Sequence, residues 1–133
     1  MTSKVTYLGE LRTSSVHLQS GTEILSDAPT DNHGKGASFS PTDLLANALG
    51  SCMISIMAIK SDDLKLDLIG STVEITKIMQ SEPRKIAKVI VVLNLSVEAD
   101  QKSKTILERT AMNCPVLLSL NPDIEKEVTF NWR

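Results

Sequence analysis

Aromatic side chains are nearly absent: one Trp, one Tyr and two Phe make up 3% of the 133 residues. Lysines and arginines are interspersed with acids, as in KSDDLK and EPRKIAK, and the net charge is −2. A nucleic-acid binder normally combines a clustered basic surface with stacking aromatics, so the composition argues against that class. Two cysteines are too few for a secreted disulfide framework. No long hydrophobic run is present either. Leu44 to Ile59 is about 16 residues, short of the roughly 20 that span a bilayer, and it carries Asn47, Ser51 and Ser55. It reads as a buried central helix. The opening MTSKVTYLGELR has no apolar signal-peptide core. The expectation is a cytoplasmic protein without nucleic-acid or membrane partners.

What is present suits one globular domain, residues 1–133, with 41% apolar residues and enough length for a core of its own. The first 26 residues read as strands: Lys4 to Leu8 broken at Gly9, then Leu11 to Leu18, then a Ser20-Gly21 turn into Thr22 to Leu25. Asp27 to Ser38 is a turn-rich loop with no core of its own, fit for a site rim or an interface arm.

Ser40-Pro41-Thr42-Asp43 is a helix start. Ser40 suits the cap, Pro41 the first helical position, and Asp43 the positive helix end. The helix runs to about Ile59. Its apolar residues occupy most of the circumference, which predicts burial nearly all round, by sheet on several sides or by a second copy of the chain. After Leu64 to Ile69, Val73 to Met79 and Ile86 to Val97 form an antiparallel hairpin around Pro83. Asp100 caps a helix to about Met112, Asn113-Cys114-Pro115 opens a short helical piece, and Glu125 to Trp132 is a last strand. The order β-β-β-α-β-β-α-β, joined by hairpins rather than βαβ crossovers, predicts an α+β fold with antiparallel sheet.

Cys52 and Cys114 lie in the helical segments SPTDLLANALGSCMISIMAIK and ERTAMNCPVLLSL. If the fold joins them, one thiolate attacks and the other resolves; if not, both are small core hydrophobes. Cys114 sits at a helix amino terminus, where free N–H groups favour the thiolate, so on local grounds it is the more acidic thiol. Cys52 is mid-helix and needs an imported cation, with Arg12, His17, His33, Lys35 and Arg109 as candidates. No ligand pair shows metal spacing, so neither metal nor cofactor is expected.

PTDLLANALGSC followed some sixty residues later by NCPV resembles the OsmC/Ohr family of organic hydroperoxide reductases. The family pattern is a Pro-started central helix with a cysteine eleven residues after the proline, matched by Pro41 and Cys52, and a second cysteine before Pro-Val, matched by Cys114-Pro115-Val116. GELRTSSVHLQSG and DAPTDNHGKGASFSPTDLL resemble a less-characterised OsmC-like branch. The resemblance implies an intertwined homodimer in which antiparallel sheets wrap two long central helices. It also implies a thiol peroxidase. Cys52 would attack the hydroperoxide, Cys114 would resolve the sulfenic acid through a disulfide, and a dithiol would reduce it. In the best-known members a glutamate follows the proline and pairs with an arginine that holds the thiolate. Here that position is Thr42, with Asp43 one residue on, and Arg12 is the best candidate arginine. A dimeric binding protein that uses an interfacial pocket without turnover is the alternative.

Overall fold

Three strands open the chain: β1 (Ser3–Gly9), β2 (Arg12–His17) and β3 (Glu23–Asp27), paired antiparallel in the order β1-β2-β3. The computed structural model describes residues 1–133 and divides them into two units, Met1–Leu45 and Ala46–Arg133. Glu10 and Leu11 form the first tight turn, both at positive φ (53° and 62°), the backbone that matches hairpin twist. In the second hairpin His17 N–H donates to the Thr22 carbonyl at 2.8 Å, which fixes a register pairing Arg12 with Asp27. No hydrophobic side chain of this unit is fully buried; its buried residues are Ser26, Asp27 and Ser40.

Helix α1 (Pro41–Asp63) starts where the sequence indicates and ends four residues beyond the expected Ile59. A reciprocal cap forms its start: Ser40 Oγ accepts from Asp43 N–H at 3.1 Å, and the Asp43 carboxylate accepts from Ser40 N–H at 3.0 Å. The expected all-round burial does not hold within one chain. Burial follows a single stripe at helical spacing, Ala46, Leu49, Gly50, Met53, Met57 and Ser61, while Ile59 stays 72% exposed. At 23 residues α1 is also longer than the run read from sequence, and long enough to cross a bilayer. Its Leu49, Met53 and Met57 instead complete the core of the second unit.

That core lies against a second sheet, order β4-β5-β6, made of β4 (Thr72–Gln80), β5 (Lys85–Leu95) and β6 (Glu125–Trp132). Alternation along β5 buries Val89, Val91, Leu93 and Leu95. A bulge where Ile78 pairs Lys88 and Met79 pairs Ile86 keeps Ile86 on the same face. Gly50 lets α1 approach the sheet: a Cβ there would sit 2.6 Å from Ile75 Cδ1 and 3.0 Å from Val73 Cγ1. Each fully buried aliphatic side chain contributes about 1.5–3 kcal/mol, so this layer holds the unit together.

The β4–β5 hairpin is antiparallel as expected, but β6 pairs with β5 in parallel. The sheet is therefore mixed, and the expectation of hairpin connections alone is corrected. The reason is the helical crossover. Helix α2 (Gln101–Ala111) and helix α3 (Pro115–Ser119) carry the chain back to the end of the sheet where β5 began. Asp100 caps α2 through Ser103 N–H at 2.9 Å, as its sequence indicates.

Candidate functional site

Cys52 lies on α1, next to buried Met53, and is half-buried against the core of the second unit. Cys114 is fully buried in that same core. It is the N-cap of α3, with Sγ accepting from Leu117 N–H at 3.2 Å. The two thiols are unbonded neighbours. Burial pushes the Cys114 thiol above the ordinary thiol range; the Leu117 N–H pulls it down less strongly, and Cys52 pushes it up further. This overturns the local helix-end argument for an acidic Cys114. A five-residue helix supplies few aligned dipoles, and desolvation of a completely enclosed sulfur outweighs them.

On the surface of the same unit Ile56, Ile106, Arg109, Thr110, Asn113 and Pro115 line a depression of about 490 Å³. Ile56 lies one helical turn beyond Cys52, and Pro115 directly follows Cys114. Arg109, read from sequence as one cation among several, is exposed and contributes to this rim.

The first unit holds Arg12, where the sequence left its partner open. The partner is Asp27. Arg12 Nε donates to Oδ1 at 2.7 Å and Nη2 to Oδ2 at 2.9 Å, a side-on bidentate pair. Ala37 N–H also donates to Oδ2 at 3.1 Å. The Arg12 guanidinium holds the Asp27 carboxyl below the usual carboxylate range, and Asp27 raises Arg12 in turn. Asp43 is engaged at the helix cap described above, the role its sequence position suggests. Lys35 pairs with Glu10 at 2.6 Å, and His17 Nδ1 shares a hydrogen bond with Ser20 Oγ at 2.7 Å. His33 sits at φ 67° in the loop after β3.

Asp27 is the functional candidate that sequence reasoning missed, since it was read only as the first residue of a loop. The signal was available. Once His17 and Thr22 flank the hairpin turn, counting outward places residue 27 opposite residue 12.

The family model described as OsmC-like protein matches residues 33–129, so the chain belongs to the OsmC-like family. A solved structure from Psychrobacter arcticus 273-4, described as an osmotic stress induced and detoxification response protein, is 50% identical. Its TM-score is 0.95, and the match covers 98% of this chain and 96% of that one. An organic hydroperoxide resistance protein OsmC from Legionella pneumophila is 16% identical with a TM-score of 0.73, covering 98% and 97%. An organic hydroperoxide resistance protein from Elizabethkingia anophelis, with thiocyanate bound, is 16% identical with a TM-score of 0.76, covering 100% and 97%. These last two share the fold. Among curated proteins none matches the chain. The family assignment thus agrees with the resemblance read from Pro41, Cys52 and Cys114, and the α+β fold is that of OsmC-like structures.

Proposed function

We propose that the chain is a thiol-dependent peroxidase that reduces organic hydroperoxides, working in the cytoplasm as a single OsmC-like domain and as a homodimer. The observation that carries this reading is the pairing of a half-buried Cys52 with a fully buried Cys114 beside it. The Cys52 thiolate attacks one peroxide oxygen. The O–O bond breaks, the other oxygen leaves as alkoxide and takes a proton to become the alcohol, and Cys52 becomes a sulfenic acid. Cys114 sulfur then displaces the sulfenic hydroxyl, which leaves as water with the Cys114 proton, and a disulfide forms. A dithiol reductant returns both cysteines to thiols by exchange.

Arg12 is the proposed cation for the Cys52 thiolate: guanidinium stays charged and can hold two anions at once. Asp43, which caps α1, is the proposed site carboxylate at the helix start. The depression bounded by Ile56 and Pro115 is the proposed approach for an apolar peroxide.

Reduced protein mixed with cumene hydroperoxide should consume peroxide and lose two hydrogens per chain as the disulfide closes. Cys52→Ser should abolish turnover, and Cys114→Ser should trap the sulfenic acid. Turnover that survives Cys52→Ser would overturn the mechanism. A greater loss in Arg109→Ala than in Arg12→Ala would move the cation to the depression's rim. The alternative, a dimeric small-molecule binding protein without turnover, draws on Arg12 already holding a carboxylate, and it predicts that both thiols ignore the peroxide.

A further inference from the structure

Cys114 does two jobs with one sulfur. Its thiol packs into the core of the second unit, and the same atom is the N-cap of α3. Sγ accepts from Leu117 N–H at 3.2 Å, and Val116 N–H bears on it too. The first N–H groups of a helix have no carbonyl of their own helix to bond, so the sulfur is what satisfies them. The rest of α3 holds lightly. It is five residues long, none of them is fully buried, and Leu118 is 67% exposed. Val116 and Leu117, with Leu120 behind them, pack only partly against the core. Cys52 stands on a stiffer element. It lies within a 23-residue helix whose Leu49, Met53 and Met57 are fully buried.

The two sulfurs are neighbours without a bond. A disulfide needs them about 2.05 Å apart, so one side must give as the bond closes. Length and a buried stripe fix α1, whereas α3 has little to hold it, so Cys114 is the side that moves and its Sγ leaves Leu117 N–H. We propose that Cys114 is a redox-operated latch on α3: the thiol caps the helix start, and closing the Cys52–Cys114 disulfide withdraws the cap and loosens α3. The inference rests on the reading of Cys52 and Cys114 as attacking and resolving thiols. The electrons balance as in that reaction: the two thiols give two electrons to the peroxide, and the sulfenic hydroxyl leaves as water with the Cys114 proton. Pro115, the first residue of α3, lines the depression together with Ile56, so a loosened α3 moves one wall of it. The depression then differs between the form that receives the peroxide and the form that the dithiol reduces. Reduction returns the sulfur to Leu117 N–H and re-seats the wall. Val116, Leu117 and Leu120 keep their packing in both forms, which confines the change to one helix start.

Hydrogen exchange read by peptide mass spectrometry tests this on the full chain, reduced and oxidised. Oxidation has two arms: cumene hydroperoxide, and the thiol oxidant diamide, which takes up the two hydrogens itself and needs no peroxidase step. In the oxidised chain the amides of Leu117 and Leu118 should exchange about fivefold faster, the factor that loss of an ordinary N-cap gives. Amides of α2 should keep their rates, and dithiothreitol should restore α3. Cys114→Ala removes the cap without oxidation and should show the same fast α3 in reducing buffer. Cys114→Ser can cap through its hydroxyl but cannot form the disulfide, so its α3 should stay slow under either oxidant. Unchanged or slower exchange of α3 in a chain whose mass shows the disulfide overturns the inference. A fast α3 in oxidised Cys114→Ser, or a wild-type α3 in Cys114→Ala, does so too. If Cys114→Ala does not fold, the comparison of oxidised with reduced wild type decides alone. Failure of diamide to close the Cys52–Cys114 disulfide also overturns it. If diamide closes the disulfide and loosens α3 while cumene hydroperoxide leaves the thiols untouched, the peroxidase reading fails and the latch stands, which separates the two failures.

Discussion

Iodoacetamide alkylation of the reduced protein tests the division of labour between the thiols, because they differ in what must move before the reagent arrives. Cys114 has no exposed surface and lies under the start of α3. To reach it, α3 must lift, and Val116, Leu117 and Leu120 must leave the core they partly pack against. Full burial of such a side chain is worth about 1.5–3 kcal/mol, so three half-buried ones hold the helix down by about 3 kcal/mol. Each 1.4 kcal/mol is tenfold, which leaves the open state populated about once in a hundred molecules. The upward push on the Cys114 thiol works in the same direction, because less thiolate is present when the segment opens.

Cys52 is half-buried and needs no such opening. At about pH 8, peptide mass spectrometry over a time course should therefore show Cys52 modified about two orders of magnitude faster than Cys114. The ratio should survive exchanging backgrounds, with Cys52→Ser still slow and Cys114→Ser still fast. Labelling of Cys114 at a rate equal to or above that of Cys52 would refute the reasoning. It would restore the helix-end argument, and with it Cys114 as nucleophile.

Stability against pH carries two further expectations. Because the folded-state Cys114 thiol lies above its unfolded value, stability is fully present below the ordinary thiol range and falls as pH rises through it; Cys114→Ala should flatten that alkaline slope in urea midpoints. Because Asp27 lies below its unfolded value, its contribution is present above the ordinary carboxylate range and is lost as pH falls through the folded value; Asp27→Asn should remove that acid-side dependence. Assembly is the remaining one. Val5, Tyr7 and Ile24 share one face of the first sheet and are 62%, 64% and 48% exposed in the single chain, and Ile59 on α1 is 72% exposed. So much apolar surface calls for a partner, and light scattering should report twice 14.5 kDa; a stable species of 14.5 kDa would contradict the dimer.

The elements of this fold were legible where local chemistry dictates them. Ser40 and Pro41 announced α1, Asp100 announced α2, and period-two alternation announced β4, β5 and β6 with ends within a residue or two. Pairing was legible only for neighbours in the chain. The β4–β5 hairpin follows from a short turn, but the parallel match of β6 to β5 depends on where a whole helical crossover delivers the chain, and no residue of Glu125 to Trp132 encodes that direction. Burial on α1 shows the same limit. An apolar circumference tells that a helix needs cover, and only the fold tells which stripe this chain covers: Leu49, Met53 and Met57, with Ile59 left exposed.

The site divides along the same line. Cys52 and Cys114 stand out because their flanking residues resemble a family pattern, and the fold makes them neighbours. Their electrostatics were not legible, because proximity to a helix end and enclosure in a core act in opposite directions on one thiol. Which effect wins depends on the depth of burial, and at Cys114 burial is complete. Asp43 stands beside the family's helix-start position in sequence, which makes it the expected carboxylate. A carboxylate's service, however, depends on what it touches. Asp43 touches the backbone N–H of Ser40, which any capping residue could satisfy, whereas Asp27 touches a guanidinium along one full edge and is closed off from water. The partner of Arg12 is thus an acid fifteen positions away in sequence, and strand register rather than motif spacing is what reveals it.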